Sequence, residues 1–281
     1  MPVAPLSSRY RRAFITGASG GLGRAFAEML LAEGIDVTGT ARDVARLEPL
    51  AAHPRFTPLA LDLADGAAAE KKFTDAAGEG AFDLVINNAG FGVFAPFVAT
   101  EFAVWQAQLE ALIGTSTRLA HAALRAMAVR PGSRGCLVNV SSLAAEFPLP
   151  FMSGYNVAKA ALSALSESLL FETRGAGLTV IDFCPGDYRT DFNRAMQPAP
   201  ALFSSSADPR LARAWRVLAA HLEAAPPPEK AARDLRAALR RGRGGIVRSG
   251  TFFQARLAPM FARFMPAGLR RAVIARYQGA G

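Results

Sequence analysis

The chain has 281 residues, about half of them apolar, with a formal net charge of +9. That length and composition can bury a sizeable core in one or two domains. No apolar run approaches the ~18 residues of a spanning helix, so a transmembrane segment is not expected. The two cysteines, Cys136 and Cys184, fall in predicted buried strands and read as small core residues, not as a disulfide or metal site. The three histidines show no ligand spacing. Met1 to Leu6 lacks the basic and apolar regions of a secretory signal, so a cytoplasmic location is expected. The charge is uneven: residues 205–281 carry fifteen Lys and Arg against four Asp and Glu, and the remainder 17 against 19.

Ala13 to Thr16 reads as a strand running straight into Gly17-Ala18-Ser19-Gly20-Gly21-Leu22-Gly23. A helix over 24–33 follows, with Phe26, Leu30 and Leu31 on one face and Gly34 closing it. In a strand, glycine turn and helix, backbone N–H groups at the helix start can bind a phosphate. The glycines matter because a Cβ would block the approach of a pyrophosphate. The second strand, 35–40, ends at Ala41-Arg42-Asp43. An acid at that end would accept bonds from ribose hydroxyls, whereas an arginine accommodates a 2′-phosphate. Ala41 omits the acid and Arg42 supplies the cation, which favours NADP(H) over NAD(H). The alternative has Arg42 as a solvated charge and Asp43 on the ribose.

A third strand, 56–61, leads to Asp62-Leu63, where a carboxylate could bond an adenine amine. A helix over 67–77 and a strand over 82–86 bring the chain to Asn87-Asn88-Ala89-Gly90, small enough for a cofactor ribose to lie on the backbone. A helix over 101–129, strand 135–140, helix 153–173 and strand 178–183 continue the alternation. Repeated βα units imply a parallel sheet with helices on both faces: an α/β, Rossmann-type doubly wound single domain with a C-terminal helical extension.

Two side chains on helix 153–173 stand four apart, Tyr155 and Lys159, and therefore share a face. A phenol titrates near pH ~10 when left alone, and a neighbouring cation lowers that value. Tyr155 is thus expected to exchange a proton with a substrate oxygen. Ser142, thirteen residues earlier, ends a buried strand, where open α/β sheets build their sites. The plain alternative is a buried tyrosine and an exposed lysine on an ordinary helix.

Together these stretches resemble the short-chain dehydrogenase/reductase family over roughly residues 12–190. Thr16-Gly17-Ala18-Ser19-Gly20-Gly21-Leu22-Gly23 is similar to its TGxxxGxG, and Asn87-Asn88-Ala89-Gly90 to its NNAG. Ser142, Tyr155 and Lys159 match the catalytic Ser and YxxxK, and Pro185-Gly186 with Thr190 matches the segment that closes over nicotinamide. The resemblance implies that Tyr155 is the general acid/base and that Ser142 holds the substrate oxygen. It also implies that Lys159 binds the nicotinamide ribose and tunes Tyr155, and that Thr190 meets the carboxamide. One departure concerns the Asn that the family carries in the helix after NNAG to support a proton-relaying water. Leu112 or Ala111 stands there, depending on alignment, and neither side chain can bond a water. A second departure is Asp187-Tyr188, where apolar residues are usual; Asp187 could meet substrate, and is expected to be solvated or paired, for instance with Arg189.

Beyond Thr190 the chain is expected to supply a substrate loop over 191–228, a helix over 229–240 and a last strand over 245–248. The expected pocket is heavily apolar: Phe91, Val93, Phe94, Phe97, Leu143, Phe147, Leu149, Phe151, Met152, Phe192, Met196, Leu202, Phe203 and Trp215. Such a lining suits a bulky lipid-, isoprenoid- or steroid-like ketone or alcohol; most of these residues could equally be core. Residues 250–281 read as a basic amphipathic extension that could touch an anionic membrane surface, its own substrate tunnel or a partner subunit. A homo-oligomer is expected and nucleic-acid binding is not, since no recognition motif accompanies the charge. Two functions are in view: an NADP(H)-dependent oxidoreductase, or a nucleotide-sensing or scaffold protein that kept the fold and lost turnover.

Overall fold

In the computed structural model, residues 4–78, 80–129, 135–192, 196 and 208–279 are described. Seven strands run parallel in one sheet: β1 (Arg12–Ile15), β2 (Asp36–Ala41), β3 (Phe56–Ala60), β4 (Leu84–Asn87), β5 (Cys136–Val140), β6 (Thr179–Pro185) and β7 (Gly245–Ser249). Their spatial order is β3-β2-β1-β4-β5-β6-β7. The order reverses between β1 and β4, and ligands of such sheets bind in the crevice above the strand ends at that point.

The central strands are short, continuous apolar runs because both of their faces are covered. Side chains alternate along β1: Ala13 and Ile15 join Phe26, Leu30 and Leu235 on one face, while Phe14 packs with Phe73, Val85 and Leu137 on the other. Helix α1 (Gly21–Ala32) carries Phe26 and Leu30, α2 (Gly66–Ala77) carries Phe73, and Asp65 caps the start of α2 by accepting from Ala68 N–H.

The helix expected over 101–129 is present as one continuous helical run from Phe102 to Ala128, with a π-helical turn inside it. Here α3 (Phe102–Leu109) and α4 (Thr115–Ala128) are joined through a π-helical turn, Glu110–Gly114. Then α5 (Ser153–Glu172) carries the tyrosine and lysine, followed by α6 (Pro209–Glu223) and α7 (Pro228–Arg241). The extension forms a π turn, Phe253–Leu257, then α8 (Ala258–Phe264) and α9 (Ala267–Tyr277). A short helical segment over Val44–Ala51 has no counterpart in the sequence reading; Asp43 caps it by accepting from Ala45 N–H. Among the described residues no helix is long and apolar enough to cross a membrane.

The glycine-rich turn is built for close approach. Gly17 sits at φ +72°, a conformation that disfavours a side chain, and a Cβ on Gly23 would stand 2.1 Å from the Gly17 carbonyl oxygen. Gly20 has nothing within 4 Å of such a Cβ. Gly23→Ala is therefore expected to cost about 1–3 kcal/mol through overpacking and to lower the melting temperature by several degrees. Gly20→Ala should leave it unchanged; differential scanning calorimetry reads both.

Candidate active site

The cavity lies over the carboxyl ends of β1, β4, β5 and β6, and its floor is tied together by one hydroxyl. Thr16 Oγ1 accepts from the backbone N–H groups of Asn88 (2.9 Å) and Ala89 (3.0 Å). Asn88 Nδ2 donates back to the Thr16 and Gly17 carbonyls at 3.0 and 3.3 Å. The first glycine motif and the Asn-Asn-Ala-Gly segment are thereby held edge to edge.

One arm of the cavity is lined by Gly17, Ser19, Gly20, Gly21 and Leu22, with Arg42, Asp62, Leu63, Asn88, Ala89 and Gly90 around it. A nicotinamide dinucleotide fits this arm on its own chemistry. No side chain caps the start of α1 and no acid stands in its first turn, so the free N–H groups and positive helix end face the space where a pyrophosphate would lie. Gly23 is not part of the lining; it closes the turn against Asn88 from beneath. Arg42 is exposed at the rim, and Arg46 beside it was not singled out from the sequence. Asp43 has one oxygen committed to the Ala45 N–H at 3.0 Å, and Asp62 likewise to Ala64.

At the inner end Ser142, Tyr155 and Lys159 converge, with Pro185, Gly186 and Thr190 opposite. Ser142 Oγ accepts from Ala144 N–H at 3.0 Å and donates to the Pro185 carbonyl at 3.5 Å, a long bond that a closer acceptor would replace. Lys159 is buried and donates to the Val140 carbonyl at 2.7 Å, with Nζ 5.7 Å from the Tyr155 ring centre. The expectation of a lowered tyrosine pKa is corrected here. Burial pushes the Tyr155 phenol up to about 12, the Ser142 hydrogen bond opposes this, and Asp187 adds to it. The lysine's charge does not oppose this rise: burial brings Lys159 down to about 8, against Asp182, so the ammonium has lost its proton well below the pH at which the phenol ionises. Tyr155 is therefore a neutral phenol at pH 7, the form that gives up a proton.

Asp182, fully buried on β6, was missed in the sequence reading. It accepts from Ser141 and Ser163 and favours the ammonium form of Lys159. The signal was present as a lone acid inside Val180-Ile181-Asp182-Phe183-Cys184. The π turn places Leu112 against Gly90, where a Cβ would meet it at 3.3 Å and Lys159 Nζ at 3.8 Å, while Ala111 lines the cavity. The position expected to support a relay water thus presents hydrocarbon.

The outer arm is lined by Phe91, Leu143, Phe147, Leu149, Met152 and Phe192, as expected. Phe94 and Phe151 are corrections: neither lines the cavity. Phe94 is buried between Phe151 (5.7 Å between ring centres) and Trp215 (5.3 Å). Phe151 has φ +60°, strained for a bulky residue, and its carbonyl accepts from Ala95 N–H at 2.8 Å. These rings fix the entry into α5, and so the placement of Tyr155. Met196 and Trp215 belong to the same core cluster, Val93 is buried elsewhere, and Phe97 is exposed and stacks on Trp105. Leu202 and Phe203 lie outside the described residues. Asp187 lines the cavity but pairs with Gln254 at 2.6 Å, not with Arg189.

The remaining wall comes from the C-terminal extension. Phe253, Gln254, Phe261, Met265, Val273, Ile274 and Tyr277 all face the cavity, and Tyr277 stacks on His221 of α6 at 4.5 Å. The whole cavity measures about 1260 Å³. That exceeds the upper range of a single small-ligand pocket, about 1,000 Å³, and leaves room for a dinucleotide and a substrate together.

This fold and site define a dinucleotide-binding oxidoreductase. The chain matches the short chain dehydrogenase family over residues 11–201, and it belongs to that family. It is 34% identical to D-erythrulose reductase of Gallus gallus over 190 residues, covering 67% of this chain and 76% of that one. A short-chain dehydrogenase from Streptomyces avermitilis superposes with a TM-score of 0.76 at 30% identity, over 96% of this chain and 95% of that one. A metagenomic short-chain oxidoreductase in complex with NADP superposes at 0.66 and 26% identity, over 85% and 95%.

The lysine makes a measurable contribution to pH dependence. Its value is about 8 in the fold against an ordinary 10.5, so between those values this side chain holds fewer protons in the folded than in the unfolded state. Stability from this group therefore rises with pH across that window and is lost as pH falls through about 8. The melting-temperature difference between the native protein and Lys159→Met is expected to shift in the native protein's favour from pH 7 to pH 10. A constant difference would contradict the assignment.

Proposed function

We propose that the protein is an NADP(H)-dependent reductase that interconverts a ketone and a secondary alcohol on a bulky, largely apolar substrate. The observation that carries this is the convergence of Ser142, Tyr155 and Lys159 at the junction of two arms, one polar and glycine-lined, the other apolar. The cofactor, when bound, supplies a hydride from its nicotinamide ring. In the reductive direction Ser142 donates a hydrogen bond to the carbonyl oxygen and holds it beside Tyr155. Tyr155 gives its proton to that oxygen as negative charge develops. The Lys159 ammonium, anchored through Val140 and favoured by Asp182, stabilises the phenolate that remains.

Arg42 stands free at the rim while Asp43 is partly occupied in capping, which supports a 2′-phosphate ligand. The NADP complex of the metagenomic relative supports a nicotinamide dinucleotide in this arm, and the choice between the two rests on Arg42 and Asp43. The extension lines this chain's own cavity, and covering the substrate is the role these contacts favour over membrane or subunit contact. A nucleotide-sensing protein without turnover is the alternative, and Leu112 beside Lys159 is the observation in its favour.

Tyr155→Phe separates the two. Ketone-dependent NADPH oxidation should fall by about 10²-fold or more, while NADPH binding, followed by its fluorescence, persists. Equal turnover in the variant would overturn the assignment of Tyr155. Arg42→Ala should raise the KM for NADPH about tenfold or more and leave that for NADH nearly unchanged.

A further inference from the structure

An apolar substrate alone does not account for Asp187. This carboxylate follows Pro185-Gly186 on the loop after β6 and lines the cavity next to the reacting centre. Its Oδ2 accepts from Gln254 Nε2 at 2.6 Å. Among the described residues, nothing donates to Oδ1, and no arginine or lysine pairs with either oxygen. Gln254 is not free to serve both. It is wedged where a Cβ on Gly186 or on Gly250 would stand 2.8 or 3.1 Å from its Oε1, and that oxygen also accepts from Thr251 N–H at 3.4 Å. The titratable groups around the carboxylate are Tyr155 on α5, His221 on α6 and Tyr277 on α9. Of these, His221 is the one that favours the ionised carboxylate, with the Gln254 bond acting in the same direction, against burial.

A half-buried carboxylate whose second oxygen is open to the cavity loses its water there when a substrate fills the space, and a donor on the substrate would offset that loss. We propose that Asp187, held by Gln254, is a subsite for a hydrogen-bond donor on the substrate, a hydroxyl or an ammonium group close to the reacting carbon. The inference rests on the reductase reading above and narrows it. The substrate is amphipathic, with a donor group beside its carbonyl and an apolar body reaching toward Phe147, Phe192 and the C-terminal helices. A hydrocarbon ketone would leave the carboxylate unpaired, and a substrate with a carboxylate at that position would be repelled.

The test uses the full chain with NADPH and four aliphatic ketones of one carbon skeleton. One is unsubstituted, and the others carry a methoxy, hydroxyl or amino group one or two carbons from the carbonyl. Methoxy keeps the oxygen as an acceptor, removes the donor and adds one methyl. The hydroxyl and amino ketones should exceed the other two by about tenfold or more in kcat/KM. That ratio should fall to about one in Asp187→Leu and decline in Gln254→Leu. In Asp187→Asn, which keeps the shape and an acceptor, the amino preference should fall more than the hydroxyl preference. NADPH binding by fluorescence shows that each variant is folded. A preference that survives Asp187→Leu overturns the subsite, as does turnover of all four ketones at similar rates. Loss of NADPH affinity in that variant, with the substrate preference intact, would assign the carboxylate to the cofactor's carboxamide and also overturn it. Failure to reduce any of the four while NADPH binds strikes the reductase reading instead, and the subsite with it.

Discussion

Thr16 holds the floor of the cavity together. Its hydroxyl meets two consecutive N–H groups, Asn88 and Ala89, at the one place where the strand order reverses. Parallel strands leave their terminal carbonyls and amides unpaired at the sheet's upper edge, and buried backbone groups must find partners. Here the partners are two side chains, Thr16 for the amides and Asn88 for the carbonyls, and they draw the segment after β4 onto the glycine turn after β1. Gly17 and Gly23 are glycine because the approach is so close that a Cβ at either would collide. With that junction formed, the start of α1 faces open space beside a surface of small residues, and a dinucleotide can lie across it.

A second buried network does the same for the proton-transfer end. Asn87 Nδ2 donates to Asn139 Oδ1 at 3.0 Å, and Asn139 Nδ2 to Ser166 Oγ at 2.9 Å, tying β4 and β5 to α5. Asp182 engages Ser163 on α5 and Ser141 at the end of β5. Lys159 is thus fixed through the Val140 carbonyl of β5, with the Asp182 charge favouring its ammonium form, and Tyr155 stands one helical turn away. Phe151 supplies the complementary constraint, a strained entry to α5 maintained by packing against Phe94. Strain at such a place persists only when the surroundings over-determine it.

The sheet and its glycine turns were legible because apolar runs, turn glycines and helical periodicity are local properties. Every strand expected from β1 to β7 is present, its ends within two residues of the expected ones. The candidate proton-transfer pair and the glycine turn were legible for the same reason: short spacings on single elements place Tyr155 with Lys159 and Gly17 with Gly21. The pocket was less so. Phe94, Phe151 and Trp215 look like lining residues in a list of aromatics, yet they pack on one another behind the wall. Only the tertiary arrangement separates a ring that faces substrate from one that supports it. The sign of the tyrosine shift was also non-local. A cation four residues away favours a lower value, but burial of the ring against Phe192 and the cluster that includes Phe94, Met152 and Trp215 raises it. Asp187 and Gln254 lie 67 positions apart, and no pattern in either segment announces their pairing.

The central claim is that a hydride passes directly from a nicotinamide cofactor to a substrate carbon beside Tyr155. Its most direct test is reduction of an apolar ketone with NADPH deuterated at the nicotinamide C4, using each C4 epimer in turn. Mass spectrometry of the alcohol would then locate the label. One epimer should give an alcohol with a single deuterium on the carbinol carbon, and the other an unlabelled alcohol, since the cavity presents one face of the ring. Alcohol formed without label from either epimer, or label released to solvent, would contradict direct transfer.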